Sequence, residues 1–297
     1  SFSSAFGDSA IRLAEADPQV VAISAAMCSG TGLKGFSLRF PHRFYDVGIA
    51  EEHALVFAAG MAAGGMRPLV AIYSTFMQRA LDCVFHDICL QELPVIICQD
   101  RSGIVEDGPT HHGIHDISFL RNLPNLTIMQ PKNETELRNM LFAARQLDAP
   151  VVIRYPKGHS GQAYDPAEPP HPATIAYGKA EIVRPGTDAV IWACGNEVGT
   201  AINVAELLHC KHGLEIMVVN TRFLKPFDAA LLTAHAETMS VFTIEDNQIC
   251  GGLGSLVDET LVNVRHHGVY HFGWSDEIIP HGEVDRLREL GGMTPEQ

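Results

Sequence analysis

The chain is expected to fold as α/β with two doubly wound domains, and three observations carry that expectation. Short apolar runs alternate with amphipathic stretches along the whole sequence, the pattern of parallel strands and covering helices. Between Tyr45 and Asp116, polar and reactive side chains repeatedly follow the apolar runs. In parallel strands they would gather along the carboxyl edge of one sheet, where open α/β sheets bind ligands. A segment at 159–172, HSGQAYDPAEPPHP, has four prolines and little apolar content, and reads as a linker. The domains are therefore placed at 1–158 and 173–297.

In the first domain, strands are expected at 20–24, 44–48, 68–73, 94–99, 126–130 and 150–154. Helices are expected at 6–16, 51–64, 77–91 and 133–147, the last opened by a capping box of Asn133 and Glu136. The second series has strands at 189–194, 215–220, 240–245 and 269–273, with helices at 197–212, 227–236 and 253–267. The glycines of CGGLGS at 250–255 lack GxGxxG spacing and read as a tight turn into a helix.

Composition narrows the function classes. At 46% hydrophobic and 19% charged, the chain can bury substantial cores. A formal net charge of −14 argues against nucleic acid and anionic membranes, which require a basic face. An anionic metabolite can still bind through a local group of arginines. The seven cysteines form no CxxC pair and read as buried thiols of a reducing compartment. The opening SFSSAFGDSAIRLAEADP lacks the basic and apolar regions of a signal peptide, and no apolar run approaches membrane-spanning length. The expectation is a soluble, cytoplasmic protein.

Glu51 stands where a strand gives way to a helix. A carboxylate there complements the helix dipole; alternatively it is an acid sharing a proton with a heteroaromatic ligand, desolvated by Ile49, Ala50 and Ala54–Ala59. Tyr73, Arg101 and Arg154 each end or directly follow an apolar strand. Each arginine needs a partner in such a setting, either a carboxylate such as Asp82, Asp87 or Asp100, or a ligand phosphate or carboxylate. Three donors converging on one edge favour the ligand. The segment EDGPTHHGIHD, Glu106–Asp116, has two readings. His111, His112 and His115 with Asp116 could ligate a metal, as in a hydrolase, or Asp107 and His111 could face a substrate as acceptor and proton carrier. Asp107-Gly108 followed by Asn133 imitates a diphosphate and Mg²⁺ motif, but Glu106 occupies the position of its leading glycine and Asn133 is better used as a cap.

The motifs DVGIAEEHALVFAAGMAAGG, AIYSTFMQRALD, DRSGIVEDGPTHHG, IRYPKG, RFLKPFD and EDNQICGGLGS, in this order, resemble the 1-deoxy-D-xylulose-5-phosphate synthase family, thiamine-diphosphate enzymes related to transketolase. The resemblance covers the family's pyrimidine-binding and C-terminal domains. It implies that Glu51 hydrogen-bonds the aminopyrimidine of thiamine diphosphate, that Phe76 stacks on that ring, and that Arg79 belongs to the same polar network. It further implies that Tyr73, Arg101 and Arg154 grip the phosphate of glyceraldehyde 3-phosphate, while Asp107 and His111 face its hydroxyl and aldehyde. Pyruvate would be the donor, and the product would feed isoprenoid, thiamine and pyridoxal synthesis. Two departures bear on substrate geometry: a slightly shorter loop before Asp107, and Glu52 and Pro109 where glutamines are common. The family's N-terminal domain, which holds diphosphate and Mg²⁺, has no counterpart in the sequence. The chain is then a fragment of a longer polypeptide or one subunit of a split enzyme, inactive alone, working as a homodimer or heterotetramer. A related split transketolase-like enzyme with another ketol donor or acceptor is the alternative.

Overall fold

A computed structural model describes all residues from Ser1 to Gln297. Helix α1 (Phe2–Ala16) is capped by Ser1, whose side chain accepts from the Ser4 amide, and leads into strand β1 (Val20–Ser24). Then come α2 (Lys34–Arg39), β2 (Phe44–Asp46), α3 (Glu51–Ala63) and β3 (Arg67–Tyr73). The stretch expected as one helix at 77–91 is three pieces: a 3₁₀ turn Ser74–Ala80, the short α4 (Leu81–Cys83) and a π-helical turn Val84–Cys89. Its start is held by tertiary bonds, Ser74 Oγ donating to Asp116 at 2.9 Å and Thr75 Oγ1 to the Thr110 carbonyl at 3.1 Å. The half is completed by β4 (Ile96–Asp100), α5 (Asp116–Leu120), β5 (Thr127–Met129), α6 (Glu134–Gln146) and β6 (Val151–Arg154).

Asn133 caps α6 as expected, accepting from the Glu136 amide at 2.8 Å. The reciprocal bond is displaced by one residue, because the Glu136 carboxylate takes the Lys132 amide at 2.7 Å instead of the cap's own. Glu136 also receives Asn220 and Arg222 from the second half, which explains the displacement.

The second half runs β7 (Glu181–Arg184), β8 (Ala189–Ala193), α7 (Glu197–His212), β9 (Ile216–Asn220), β10 (Phe223–Lys225), α8 (Ala229–Ala236), β11 (Ser240–Gln248), α9 (Leu253–Leu261), β12 (Val269–Trp274) and α10 (Val284–Leu290). Gly252 opens α9, where a Cβ would fall 2.1 Å from a Glu245 carboxylate oxygen, so these glycines serve the turn.

Two sheets result, in the orders β10-β5-β6-β4-β3-β1-β2 and β12-β11-β8-β9-β7. All pairings are parallel except those of the edge strands β10 and β7. Strands β1, β4 and β6 are buried throughout, as a parallel sheet covered on both faces requires. β10 is contributed by the second half yet pairs with β5 of the first. One core cluster runs through both halves, from Ile23 and Val70 to Trp192 and Leu253. The Pro-rich crossing is anchored: Arg12 donates to the carbonyls of Pro166 and Glu168, and buried Arg138 to that of Asp165. No helix is long and apolar enough to cross a membrane.

Candidate active site

Strand register decides which side chains share the carboxyl edge of the first sheet. Tyr73 of β3 lies opposite Asp100 of β4, and Gln99 lies opposite Arg154 of β6. The edge therefore carries Tyr73, Asp100, Arg101 and Arg154 at nearly one level.

Glu51 begins α3. Asp46, at the end of β2, accepts the amides of Ala26 and Gly48 at 2.8 and 3.0 Å and so shapes the turn into the helix. The Glu51 side chain is 1% exposed, and its Oε2 makes no hydrogen bond. Arg79 Nη1 lies 3.4 Å from Oε2, close enough for an ion pair but without hydrogen-bond geometry. The positive end of α3 eases the charge, yet a buried carboxylate oxygen without a donor is rare and calls for one. Phe76 and Arg79 share the 3₁₀ turn, whose three-residue repeat sets them on one side. The Phe76 ring stacks against Tyr73 at 5.9 Å and meets His111 edge-on at 5.4 Å.

A second group surrounds Arg101. Its backbone is left-handed, with φ of 62°, an arrangement that costs about 1–3 kcal/mol and concentrates at functional sites. The guanidinium lies 3.8 Å over the Tyr73 ring and 3.7 Å from the Asp107 carboxylate. Lys157 also reaches this place, 3.7 Å from Asp107 and paired with Glu106. A cavity of about 550 Å³ opens here, whose polar lining includes Ser1, Ser3, Ser4, Arg101 and Lys157 with one carboxylate, Asp8. Gly30 is required by close approach, since a Cβ would lie 1.7 Å from the Tyr73 hydroxyl. Two cations and the N-terminal end of α1 thus face one polar hollow. Below it, buried Asp100 accepts from Ser3 Oγ at 2.7 Å, and burial pushes its carboxyl up to about 7.

Arg154 does not join this group, and its expected phosphate contact is corrected. It is completely buried. Its Nε and Nη2 hold Asp116 at 3.0 and 2.9 Å, Nη1 reaches Gln130 at 2.5 Å, and Nη2 also donates to the Gly113 carbonyl at 3.2 Å. Asp116, a candidate metal ligand by sequence, is the partner that consumes this arginine. The residue missed from sequence is Lys157, three positions further along the same RYPKG motif. A cation just beyond a strand end and before a glycine was the available signal.

The three histidines diverge. His111 Nδ1 meets Thr110 Oγ1 at 2.9 Å, His112 is buried against the second half, and His115 Nδ1 meets Gln248 at 3.0 Å. No three metal-binding side chains converge anywhere, so the metal-hydrolase reading loses its ligand set. Asn133, occupied as the α6 cap, is likewise not a partner of Asp107.

The site thus combines a buried carboxylate with an oxygen lacking a donor, a half-buried aromatic pair and a cationic hollow. Profiles described as "Transketolase, pyrimidine binding domain" and "Transketolase, C-terminal domain" match residues 1–162 and 178–297. The 1-deoxy-D-xylulose-5-phosphate synthase of Carboxydothermus hydrogenoformans is 47% identical over 302 residues, covering 100% of this chain and 47% of that protein. The synthase of Desulforudis audaxviator is 48% identical over 299 residues, covering 99% and 46%. The chain spans about half the length of these relatives. A solved structure described as a split gene transketolase, an inactive beta4 tetramer, superposes with a TM-score of 0.89 at 28% identity, covering 99% of this chain and 94% of that one. A transketolase from Pichia stipitis shares the fold, with a TM-score of 0.75 at 19% identity over 94% of this chain and 42% of that one. The chain belongs to the transketolase family and carries its pyrimidine-binding and C-terminal domains.

Proposed function

We propose that the chain is the pyrimidine-binding and C-terminal portion of a synthase that condenses pyruvate with D-glyceraldehyde 3-phosphate. The products are 1-deoxy-D-xylulose 5-phosphate and CO₂. The observation that carries this reading is Glu51 Oε2, buried and without a hydrogen-bond donor beside the turn that bears Phe76. An aminopyrimidine fits that need, offering a ring nitrogen to share a proton with the carboxyl. Thiamine diphosphate, when bound, supplies the electron sink for decarboxylating a 2-oxo acid.

Glu51 holds the proton at the pyrimidine nitrogen, Arg79 fixes the Glu51 carboxylate, and Phe76 offers its face to the ring. Tyr73, Arg101 and Lys157 bind the aldehyde's phosphate at the cationic hollow, helped by the α1 N-terminus. Asp107 accepts from the substrate hydroxyl, and His111 moves a proton at the aldehyde oxygen. The diphosphate and its Mg²⁺ require a further domain or subunit, in a homodimer or heterotetramer, and the chain alone does not turn over.

The test supplies that diphosphate-binding half and measures CO₂ release together with carboligation. Glu51→Gln is expected to lower turnover by about 10²–10⁴-fold, the usual weight of a positioned acid or base. Full activity in the folded variant would sink the reading. A split transketolase with another ketol donor is the second reading, favoured by the 94% coverage of the split-gene subunit. Donors and acceptors assayed in parallel separate the two, since acceptors lacking phosphate should fail only if the cationic hollow is used.

A further inference from the structure

The loop that carries Asp107 and His111 is fastened to the second half of the chain, and His112 is the central fastening. Its ring is 2% exposed. The Val105 amide donates to Nδ1 at 3.1 Å, so Nδ1 is bare and the ring proton lies on Nε2. That Nε2 faces the carbonyls of Ile279 and Pro280 at 3.2 and 3.3 Å, in the segment between β12 and α10. Neighbouring bonds follow the same course. The Ile104 amide donates to Asp246 at 3.2 Å, the Gly282 amide to the Glu106 carbonyl at 3.3 Å, and the Gln248 amide to the Ile114 carbonyl at 2.9 Å. Gly108, at φ of 86°, packs so tightly on His281 that a Cβ would fall 2.5 Å from the His281 Cβ.

We infer that neutral His112 is a positioning residue: it ties the substrate loop to the 279–280 carbonyls, and its protonation releases that tie. The inference rests on the function proposed above. A proton on Nδ1 would set two buried donors, Nδ1–H and the Val105 N–H, against each other, leaving both unsatisfied. The charged and titratable groups acting on the ring are Asp246 from β11 and His111 from its own loop; His115, Asp276 and Glu277 line the same pocket, and His281 packs on Gly108 nearby. Burial outweighs the two carbonyls and Asp246, and lowers the ring below the usual 6.5. The stability contributed by neutral His112 is therefore complete above that value and is lost as pH falls through the lowered folded value.

Two measurements test this. On the 297-residue chain, nitrogen-15 NMR of the histidines with amide exchange across pH should find the Nε2–H tautomer. The protection of the Val105 amide should fall on acidification in the wild type and stay constant in His112→Gln. A glutamine side chain keeps one acceptor and one donor but does not titrate. In the assembly with the diphosphate-binding half, kcat/KM for the phosphorylated aldehyde should fall on acidification less steeply in His112→Gln than in the wild type, with activity near wild type above neutrality. His112→Ala should lower that kcat/KM by about 10–100-fold through misplacement of the loop, with KM for the 2-oxo acid unchanged. Protection of Val105 independent of pH, or an acid limb identical in the wild type and His112→Gln, would overturn the inference. An assembly inactive even as wild type would fail the proposed function, while the NMR arm would still decide the role of His112.

Discussion

Both halves of the molecule carry carboxylates where parallel strands end, and the two edges use them differently. In the second half every such acid is fully engaged. Glu245 caps α9 through the amides of Leu253 and Gly254, both at 2.7 Å. Asp246 receives the Trp274 indole at 2.7 Å, and buried Glu197 is held bidentate by Arg288 at 2.6 and 2.7 Å. In the first half Glu51 keeps an oxygen without a donor, and Arg101 and Lys157 face an open hollow. A carboxyl edge alone is thus no sign of a site; a carboxylate left with unspent hydrogen-bonding capacity beside an open hollow is. Arg101 and Arg154 repeat the lesson within one sheet, since one faces a cavity and the other is fully engaged with Asp116.

Substitutions can break that contrast. The largest effect is expected for Arg154→Ala, which strands buried Asp116 and should cost about 3–5 kcal/mol in denaturant unfolding. Unchanged stability would return Arg154 to the ligand. Arg101→Ala should instead leave the unfolding midpoint nearly unchanged and raise KM for the phosphorylated aldehyde by about 10–100-fold, the worth of a charged hydrogen bond. A change confined to kcat would contradict the hollow's assigned role.

The third effect concerns the pH dependence contributed by Asp100. Its folded carboxyl titrates near 7, against an ordinary value of 3.8. The folded protein therefore keeps a proton that the unfolded chain releases between those values. Stability from this group is complete below the ordinary value and declines as pH rises towards 7. Asp100→Asn should flatten that part of the melting profile while leaving the Ser3 hydroxyl an acceptor. An unaltered profile would show that Asp100 is already ionised.

Much of the fold was legible because long apolar runs between glycines and caps leave few alternatives, as at Val20–Ser24 or Glu197–His212. The short pieces were not. Glu181–Arg184 and Phe223–Lys225 are brief edge strands set by pairing with distant partners and not by any period of their own. At the site, Tyr73, Phe76, Arg101, Asp107 and His111 do cluster, because strand ends place them locally. Arg154 was misread because its partner, Asp116, lies 38 residues away, and nothing local distinguishes a strand-end arginine that is buried from one that is open. Lys157 was passed over for the same reason. His112 drew attention as a ligand candidate, but its use as a fastening depends on residues beyond 275, which no local pattern connects to it.

The central claim is that Glu51 shares a proton with a bound aminopyrimidine. It is tested most directly by following exchange of the thiazolium C2 proton for deuterium in thiamine diphosphate bound to the complete assembly. Exchange should be fast with Glu51 and slower by about 10²–10⁴-fold in Glu51→Gln, with the cofactor still bound. Equal exchange rates in the two proteins, at equal cofactor occupancy, would contradict the account.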